Sequence, residues 1–262
     1  MLKPAKVNGQ SNSRVALVTG GARGIGLEIV RRFLNDGYQV AFVATRAEHV
    51  ERALAHLRCP EDRLYAERID VTRHKEVEGF VDRVRARWDE IGILVNNAGI
   101  SPKRVEQNAP WLSQTSLDEW ARVIDVNLNG PFLLMRLLAP AMIAKGNGRI
   151  INIGSLAGRA IPMIAGPHYA ASKAGLVGLT RAAARDLAPH GITVNCIAPG
   201  RVLSDLTGPA EALVNRSALS RIPVGRFGTA EEVAHVAAFL ASPMAGFITG
   251  ATIDITGGEF AA

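Results

Sequence analysis

The sequence predicts a doubly wound α/β fold: a single domain built on a seven-stranded parallel sheet with helices on both faces. Three observations carry that reading. Short apolar segments alternate with amphipathic helical ones from end to end of the 262 residues, the pattern of repeated strand–helix units. The strand segments show little polar alternation, as expected of strands covered on both faces. The first of them runs straight into a glycine-rich turn that opens a helix.

Arg14 to Thr19 (RVALVT) reads as a buried strand, followed by a helix from Ile25 to Asn35 that Gly37 closes. Tyr38 to Ala44 is a second strand, residues 47–57 a helix, and Leu64 to Ile69 a third strand. A charged amphipathic helix covers about 74–88, and Ile93 to Asn96 is the fourth strand. A loop at 100–115 precedes a long helix from Leu117 to Lys145, which is expected to break near Gly130-Pro131. Arg149 to Gly154 is strand five, and a helix carrying Tyr169 and Lys173 follows. Ile192 to Ile197 is strand six, residues 201–226 form a loop or helical flap, and a helix spans about 230–241. Thr252 to Ile255 completes the sheet. No second domain and no internal repeat is visible.

Composition narrows the function classes. With 48% hydrophobic residues the chain has ample material for one core. No uninterrupted apolar run approaches the roughly 18 residues that cross a bilayer, so no membrane association is expected. Residues 1–13 are polar and lack an apolar h-region; they read as a flexible tail ahead of a domain at 14–262, and not as a signal peptide. Cys59 and Cys196 match no metal or redox spacing, so reduced thiols, no bound metal and a cytoplasmic location are expected. The net charge is +6, yet the arginines are scattered along helices beside Asp and Glu, with no basic block. Solvated helix surfaces, rather than nucleic-acid binding, explain them. A positive field would still concentrate an anionic cofactor or substrate.

Thr19-Gly20-Gly21-Ala22-Arg23-Gly24-Ile25-Gly26 lies where a strand feeds a helix. Its glycines permit positive φ and allow backbone amides to approach a pyrophosphate at the positive end of the helix. The spacing T-G-x-x-x-G-x-G departs from the usual G-x-G-x-x-G, but the context is that of a Rossmann-type dinucleotide turn. At the end of strand two the chain reads Ala44-Thr45-Arg46, with no carboxylate before Glu48. An acidic residue there would bond the ribose 2′-hydroxyl of NAD. Arg23, Arg46 and the Thr45 hydroxyl suit a 2′-phosphate instead, so NADP(H) is the preferred cofactor and NAD(H) a possible second one.

Tyr169 and Lys173, four residues apart, share one face of a helix. A phenol, with an ordinary pKa near 10, is a poor proton carrier at neutral pH. A neighbouring ammonium favours the phenolate and brings it toward the working range, so the pair can pass a proton to or from a carbonyl oxygen. The same spacing also arises on amphipathic helices where the lysine merely snorkels into water.

Further short motifs stand in a fixed order: Asn96-Asn97-Ala98-Gly99, Val126-Asn127-Leu128-Asn129-Gly130, Ile153-Gly154-Ser155, Pro199-Gly200 and Thr256-Gly257-Gly258. Together with the glycine turn and the Tyr-Lys pair, they make residues 14–258 resemble the short-chain dehydrogenase/reductases. The arginine in the glycine turn and the Ala-Thr after strand two resemble the β-ketoacyl-acyl carrier protein reductases in particular. The resemblance implies that Tyr169 is the general acid in reduction and the base in oxidation. It implies that Lys173 lowers the Tyr169 pKa and bonds the nicotinamide ribose, and that Ser155 donates to the substrate oxygen. Asn127 would hold a water through its main-chain carbonyl and link Lys173 to solvent. Ser155 capping a turn and Asn127 bonding a helix carbonyl are the structural alternatives.

The same resemblance implies cofactor contacts from Gly20, Ala22, Gly24, Ile25 and Gly26, with Asp70 and Val71 at the adenine. Asn97, Ala98 and Gly99 would line the ribose side, and Pro199, Gly200 and Val202 the nicotinamide. Ser204 stands where relatives carry threonine and keeps the hydroxyl for the carboxamide. His168 reads as a surface or packing residue, because adjacent helix positions point different ways. Arg159, Lys103, Arg104, Arg201 and Arg221 are cations near the expected substrate wall that could meet an anionic substrate, with solvated charge the preferred reading of each. The implied reaction is hydride transfer between a nicotinamide and a small-molecule or acyl-thioester carbonyl, with a 3-oxoacyl thioester on acyl carrier protein the leading substrate. A sugar, polyol or other secondary alcohol is the alternative substrate, and a dinucleotide-sensing protein without chemistry the alternative class. A homotetramer is implied, with contacts from residues 239–258 and the long apolar helix.

Overall fold

The computed structural model describes residues 14–102, 111–203 and 213–261. Its sheet has seven strands: β1 (Val15–Thr19), β2 (Gln39–Ala44), β3 (Leu64–Arg68), β4 (Ile93–Asn96), β5 (Gly148–Ile153), β6 (Ile192–Pro199) and β7 (Thr252–Ile255). All neighbours pair in parallel, in the order β3-β2-β1-β4-β5-β6-β7. This is the doubly wound sheet expected from the sequence. Strand boundaries shift by a residue or so, except that β6 runs on through Pro199.

The helices are α1 (Gly24–Asn35), α2 (Ala47–Leu57), α3 (His74–Arg87), α4 (Trp111–Gln114), α5 (Leu117–Ile124), α6 (Gly130–Lys145), α7 (Pro167–Leu187), α8 (Leu213–Leu219) and α9 (Ala230–Ala241). β1 sorts its side chains by pleat. Ala16 and Val18 pack in the layer of α1, α2 and α9, whereas Val15 and Leu17 pack in the layer of α3, α6 and α7. Phe33 and Phe42 anchor the first layer and Phe80 the second, all fully buried. Truncating any one of them to alanine would cost about 3–5 kcal/mol.

The expected break in the long helix takes a specific form. Between α5 and α6 lies one π-helical turn, Asp125–Asn129, in which the Gly130 amide reaches back to the Asp125 carbonyl. Such turns commonly mark functional sites. Two features favour it. The Asn127 side chain is drawn wholly inside, and Pro131 has no amide to offer the Asn127 carbonyl four residues back. By composition alone Leu117–Lys145 is long and apolar enough to cross a membrane, with 44% of its most apolar window buried in the fold. Leu117 and Phe132 on this stretch are exposed.

Strand order reverses between β1 and β4, which opens a crevice at the carboxyl ends of the strands. The turns after β1, β2, β3, β4, β5 and β6 all contribute to one cleft of about 1220 Å³.

Candidate active site

One arm of the cleft begins at the glycine turn. Gly20, Ala22, Arg23, Gly24, Ile25 and Gly26 all line it. Gly20 and Gly24 have φ of +66° and +53°, so the chain can turn back over the end of β1. A Cβ at Gly26 would lie 2.2 Å from the Gly20 carbonyl oxygen, so no other residue fits there. The α1 N-terminus has no side-chain cap and no acid in its first turn. A dinucleotide pyrophosphate fits this cradle by size and by sign. Thr45 and Arg46 follow on the same wall, both exposed, with Glu48 only loosely paired to Arg46 at 4.0 Å. His49 lines this end too, and no local motif marks it.

Asp70, Val71, Asn97, Ala98 and Gly99 form the next stretch of wall. The Asp70 carboxylate is occupied by the Thr72 amide (3.0 Å) and hydroxyl (2.8 Å). The Asn97 amide group donates to the Thr19 and Gly20 carbonyls at 2.9 and 3.0 Å, so it braces the glycine turn. Thr19 completes that brace: its hydroxyl oxygen accepts from the Asn97 and Ala98 amides, each at 3.0 Å. Pro199, Gly200 and Val202 close the cleft opposite, Val202 through a parallel bridge to Gly228. Ser204, like Lys103 and Arg104, lies outside the described residues.

The floor joins Ser155, Tyr169 and Lys173, which all line the cleft. Ser155 ends β5 and accepts from the Ala157 amide at 3.2 Å, capping the short turn Leu156–Gly158. Its hydroxyl also acts on the Tyr169 phenol in the direction that lowers the phenol's pKa, so the capping bond does not remove it from the cleft floor. Lys173 is 3% exposed. Its Nζ donates to the Ile153 carbonyl at 2.7 Å and lies 5.7 Å from the centre of the Tyr169 ring. A side chain at Gly99 would meet both Lys173 Nζ (3.5 Å) and Asn127 Oδ1 (3.4 Å), so a glycine keeps that junction open.

Asn127 does not line the cleft. Its side chain accepts from the Ile100 amide (2.8 Å) and donates to the Ile100 carbonyl and to Ser172 Oγ (both 3.0 Å). Ser172 in turn donates to the Tyr169 carbonyl at 2.8 Å. The side chain of Asn127 therefore ties the π turn to α7, while its carbonyl receives no amide four residues on, that position being Pro131.

Electrostatics depart from the simple expectation. Burial raises the Tyr169 pKa above its ordinary value, and the Ser155 hydrogen bond opposes that rise. Burial pushes Lys173 down to about 8 from 10.5. Lys173 spends its hydrogen bond on Ile153 rather than on the phenol. The hydroxyl partner that lowers the tyrosine pKa here is Ser155, not the lysine.

His168, expected at the surface or in packing, takes the packing place, and the arginines differ from the expectation of solvated charge. His168 is fully buried and bonded to Glu119 at 2.9 Å. Arg159 is clamped by Asp254 at 3.0 Å and Arg221 by Glu259 at 3.2 Å. Arg201 bonds the Asn215 side chain at 2.8 Å. These arginines face protein groups, partners 14 to 95 residues away that no local spacing announces. Trp111 and Met163, by contrast, both line the cleft.

A family model described as Enoyl-(Acyl carrier protein) reductase matches residues 20–259. The 3-oxoacyl-[acyl-carrier-protein] reductase FabG of Staphylococcus aureus (strain Mu50) is 37% identical over 249 residues, spanning 95% of this chain and 98% of that protein. The protein of the same name from Salmonella typhimurium (strain LT2) is 37% identical over 94% of this chain and 97% of its own. Among solved structures, a 3-oxoacyl-[acyl-carrier protein] reductase from Brucella melitensis superposes with a TM-score of 0.89 at 34% identity, covering 97% of this chain and 93% of that one. Another structure of a Brucella melitensis 3-oxoacyl-[acyl-carrier protein] reductase, with bound NAD, gives 0.87 at 34% identity and the same coverage. Matches of this length and depth, on a cleft with this floor, mean that the chain belongs to the short-chain dehydrogenase/reductase family and is an oxidoreductase acting on C=O and CH–OH groups.

Proposed function

We propose that this chain is an NADPH-dependent carbonyl reductase, reversible as an alcohol dehydrogenase, whose substrate is a 3-oxoacyl thioester carried on acyl carrier protein. The observation that carries it is the meeting of the Ser155 and Tyr169 hydroxyls, beside Lys173, at the end of a dinucleotide cradle. Bound nicotinamide would supply the hydride for the carbonyl carbon. In this reading Ser155 and Tyr169 both donate to the carbonyl oxygen, and Tyr169 surrenders its proton as negative charge develops there. Lys173 keeps the site positive and holds the ribose. The Asn127 carbonyl, which Pro131 cannot bond, is the outlet through which Lys173 is resupplied with protons.

The substrate arm supports an acyl chain. Leu156, Ile161, Pro162, Met163 and Trp111 line it, and Ile161 and Met163 are 85% and 68% exposed. Arg159 and Arg221 nearby are already neutralised. The relatives named as 3-oxoacyl-[acyl-carrier-protein] reductases agree with this choice. A cytoplasmic homotetramer is part of the proposal. Leu117 and Phe132 on one side, with Met244 and Phe247 on another, are exposed apolar patches of the kind that assembly covers.

Acetoacetyl thioester should turn over at least tenfold more efficiently than sugars, polyols or simple ketones; preference for a sugar or polyol would replace the substrate assignment. Tight NADPH binding with no reduction of any carbonyl would instead mark a sensing protein. Arg46→Asp should cut kcat/KM for NADPH by about 10–100-fold, the loss of one charge-assisted contact, and spare NADH. An enzyme that uses NADH as well as NADPH from the start would overturn the cofactor preference. Light scattering at micromolar protein should give four times the chain mass, and a monomer would contradict assembly.

Lys173→Met should lower kcat by about 10²–10⁴-fold while raising thermal stability at pH 7. The sign follows from burial: the folded state holds this proton less tightly (about 8 against 10.5), so the unfolded chain binds more protons between those values. Stability of the parent enzyme therefore rises with pH across that window, and the Met variant should lose that slope.

A further inference from the structure

We propose that His168, oriented by Glu119, is a positioning residue for the proton donor Tyr169; this rests on the reading of Tyr169 as that donor. The α7 helix begins at Gly166, which makes no side-chain capping bond, and its first residue, Pro167, has no amide. The amide of Tyr169 is one of the groups such a helix end leaves without an intrahelical partner. His168 Nδ1 lies 2.7 Å from that amide and accepts its hydrogen. An accepting Nδ1 cannot carry a proton, so Nε2 does, and it donates to Glu119 Oε1 at 2.9 Å. The imidazole is thus held as one neutral tautomer by a carboxylate on one side and a backbone amide on the other.

The ring has little freedom to leave. It is fully buried and meets Trp111 edge-on, ring centres 6.3 Å apart. A Cβ at Gly166 would lie 2.5 Å from His168 Cε1 and 2.7 Å from the Trp111 ring, so the absence of a side chain there admits the imidazole. Glu119 stands on α5, where its own amide is capped by Ser116 at 3.1 Å. The strut runs from α5 through the imidazole to the backbone of Tyr169. A second rung, from Asn127 in the π turn to Ser172, meets α7 one turn further on. Together they set where Tyr169 emerges opposite Ser155. Glu119 is the charged group that faces His168 across the strut, and its outer side reaches solvent.

The test compares His168→Phe, which keeps a ring but removes both hydrogen bonds, with His168→Asn, whose amide oxygen can take the Nδ1 place. In the Phe variant kcat should fall by about 10–100-fold, the scale of a small misplacement of a reacting group, with the NADPH Kd from fluorescence titration within twofold of the parent. The acid limb of the alcohol-oxidation pH profile should move to higher pH, because a displaced Tyr169 moves away from the Ser155 hydroxyl that favours its phenolate. The Asn variant should recover most of kcat and the parent profile, and Glu119→Ala should err in the same direction as Phe by a smaller factor. A mere packing role would lower the yield of folded enzyme without moving that limb. If His168→Phe is well folded with kcat within twofold and an unmoved profile, or if Asn and Phe lose activity equally with profiles unmoved, the positioning role is wrong. Should the Phe variant fail to fold, the Asn and Glu119→Ala profiles decide alone. Tyr169→Phe run in parallel separates the two ideas: retained turnover there sinks the proton-donor reading itself.

Discussion

A buried ammonium governs the architecture of this cleft. Lys173 lies almost wholly inside the protein, and the desolvation that pushes its pKa to about 8 is the dominant force acting on it. Removing a cation from water costs several kcal/mol unless its hydrogens find acceptors. The Ile153 carbonyl at the end of β5 provides one, and the face of the Tyr169 ring offers a weaker attraction. For the amine to reach that carbonyl, α7 must press closely on the turn after β5. Gly158 permits this approach: a Cβ there would lie 2.5 Å from the Lys173 backbone carbon. Gly154 does the same on the other side, where a Cβ would meet the Cys196 sulfur at 2.7 Å. The small residues around the site are thus consequences of where one charge has to sit.

A network of neutral polar groups holds the surrounding strands in register. Asn96 donates to Asn152 at 2.8 Å, and Asn152 donates to Thr180 on α7 at 2.9 Å. Thr19 and Asn97 do the same for the glycine turn and the end of β4. Such buried bonds add little net stability each, about 1 kcal/mol, but leaving one partner unmade costs more. Their directional character fixes relative position in a way that apolar contacts do not. Cofactor cradle and proton-transfer floor are therefore mounted on one rigid frame, β1–β4–β5–α7, although their residues lie more than a hundred positions apart.

Local regularities made most of this legible beforehand. The strands, the helix order and the glycine turn follow from apolar periodicity and from residues whose backbone freedom is special. Tyr169, Lys173 and Ser155 were legible because short motifs stand in a distinctive order. What escaped depends on partners distant in sequence. Nothing around His168 indicates Glu119, 49 residues earlier, and nothing around Arg159 indicates Asp254, 95 residues later. The π turn was foreseen only as a break, since Pro131 signals a lost amide but not that Asn127 turns inward to bond Ile100. The reversal in electrostatics had the same origin. A charge pair inferred from helical spacing omits desolvation, the largest influence on both Tyr169 and Lys173.

Charge is also divided unequally along the cleft, and that division bears on what the enzyme selects. At the glycine-turn end Arg46 lies exposed, with one loosely held carboxylate near it. At the opposite end Arg159 and Arg221 are each engaged by a carboxylate, and the C-terminal segment supplies the Glu259 that holds Arg221. A guanidinium already in a short ion pair exerts little net field on an approaching anion. On the proposed reading, Arg46 serves the cofactor's phosphates and the substrate end is left to shape and apolar contact. Selection of a carbonyl compound would rest on the wall formed by Leu156, Ile161, Pro162 and Met163 and on the two hydroxyls beneath it, so changes at residues 161–163 should alter substrate choice without disturbing the proton-transfer floor.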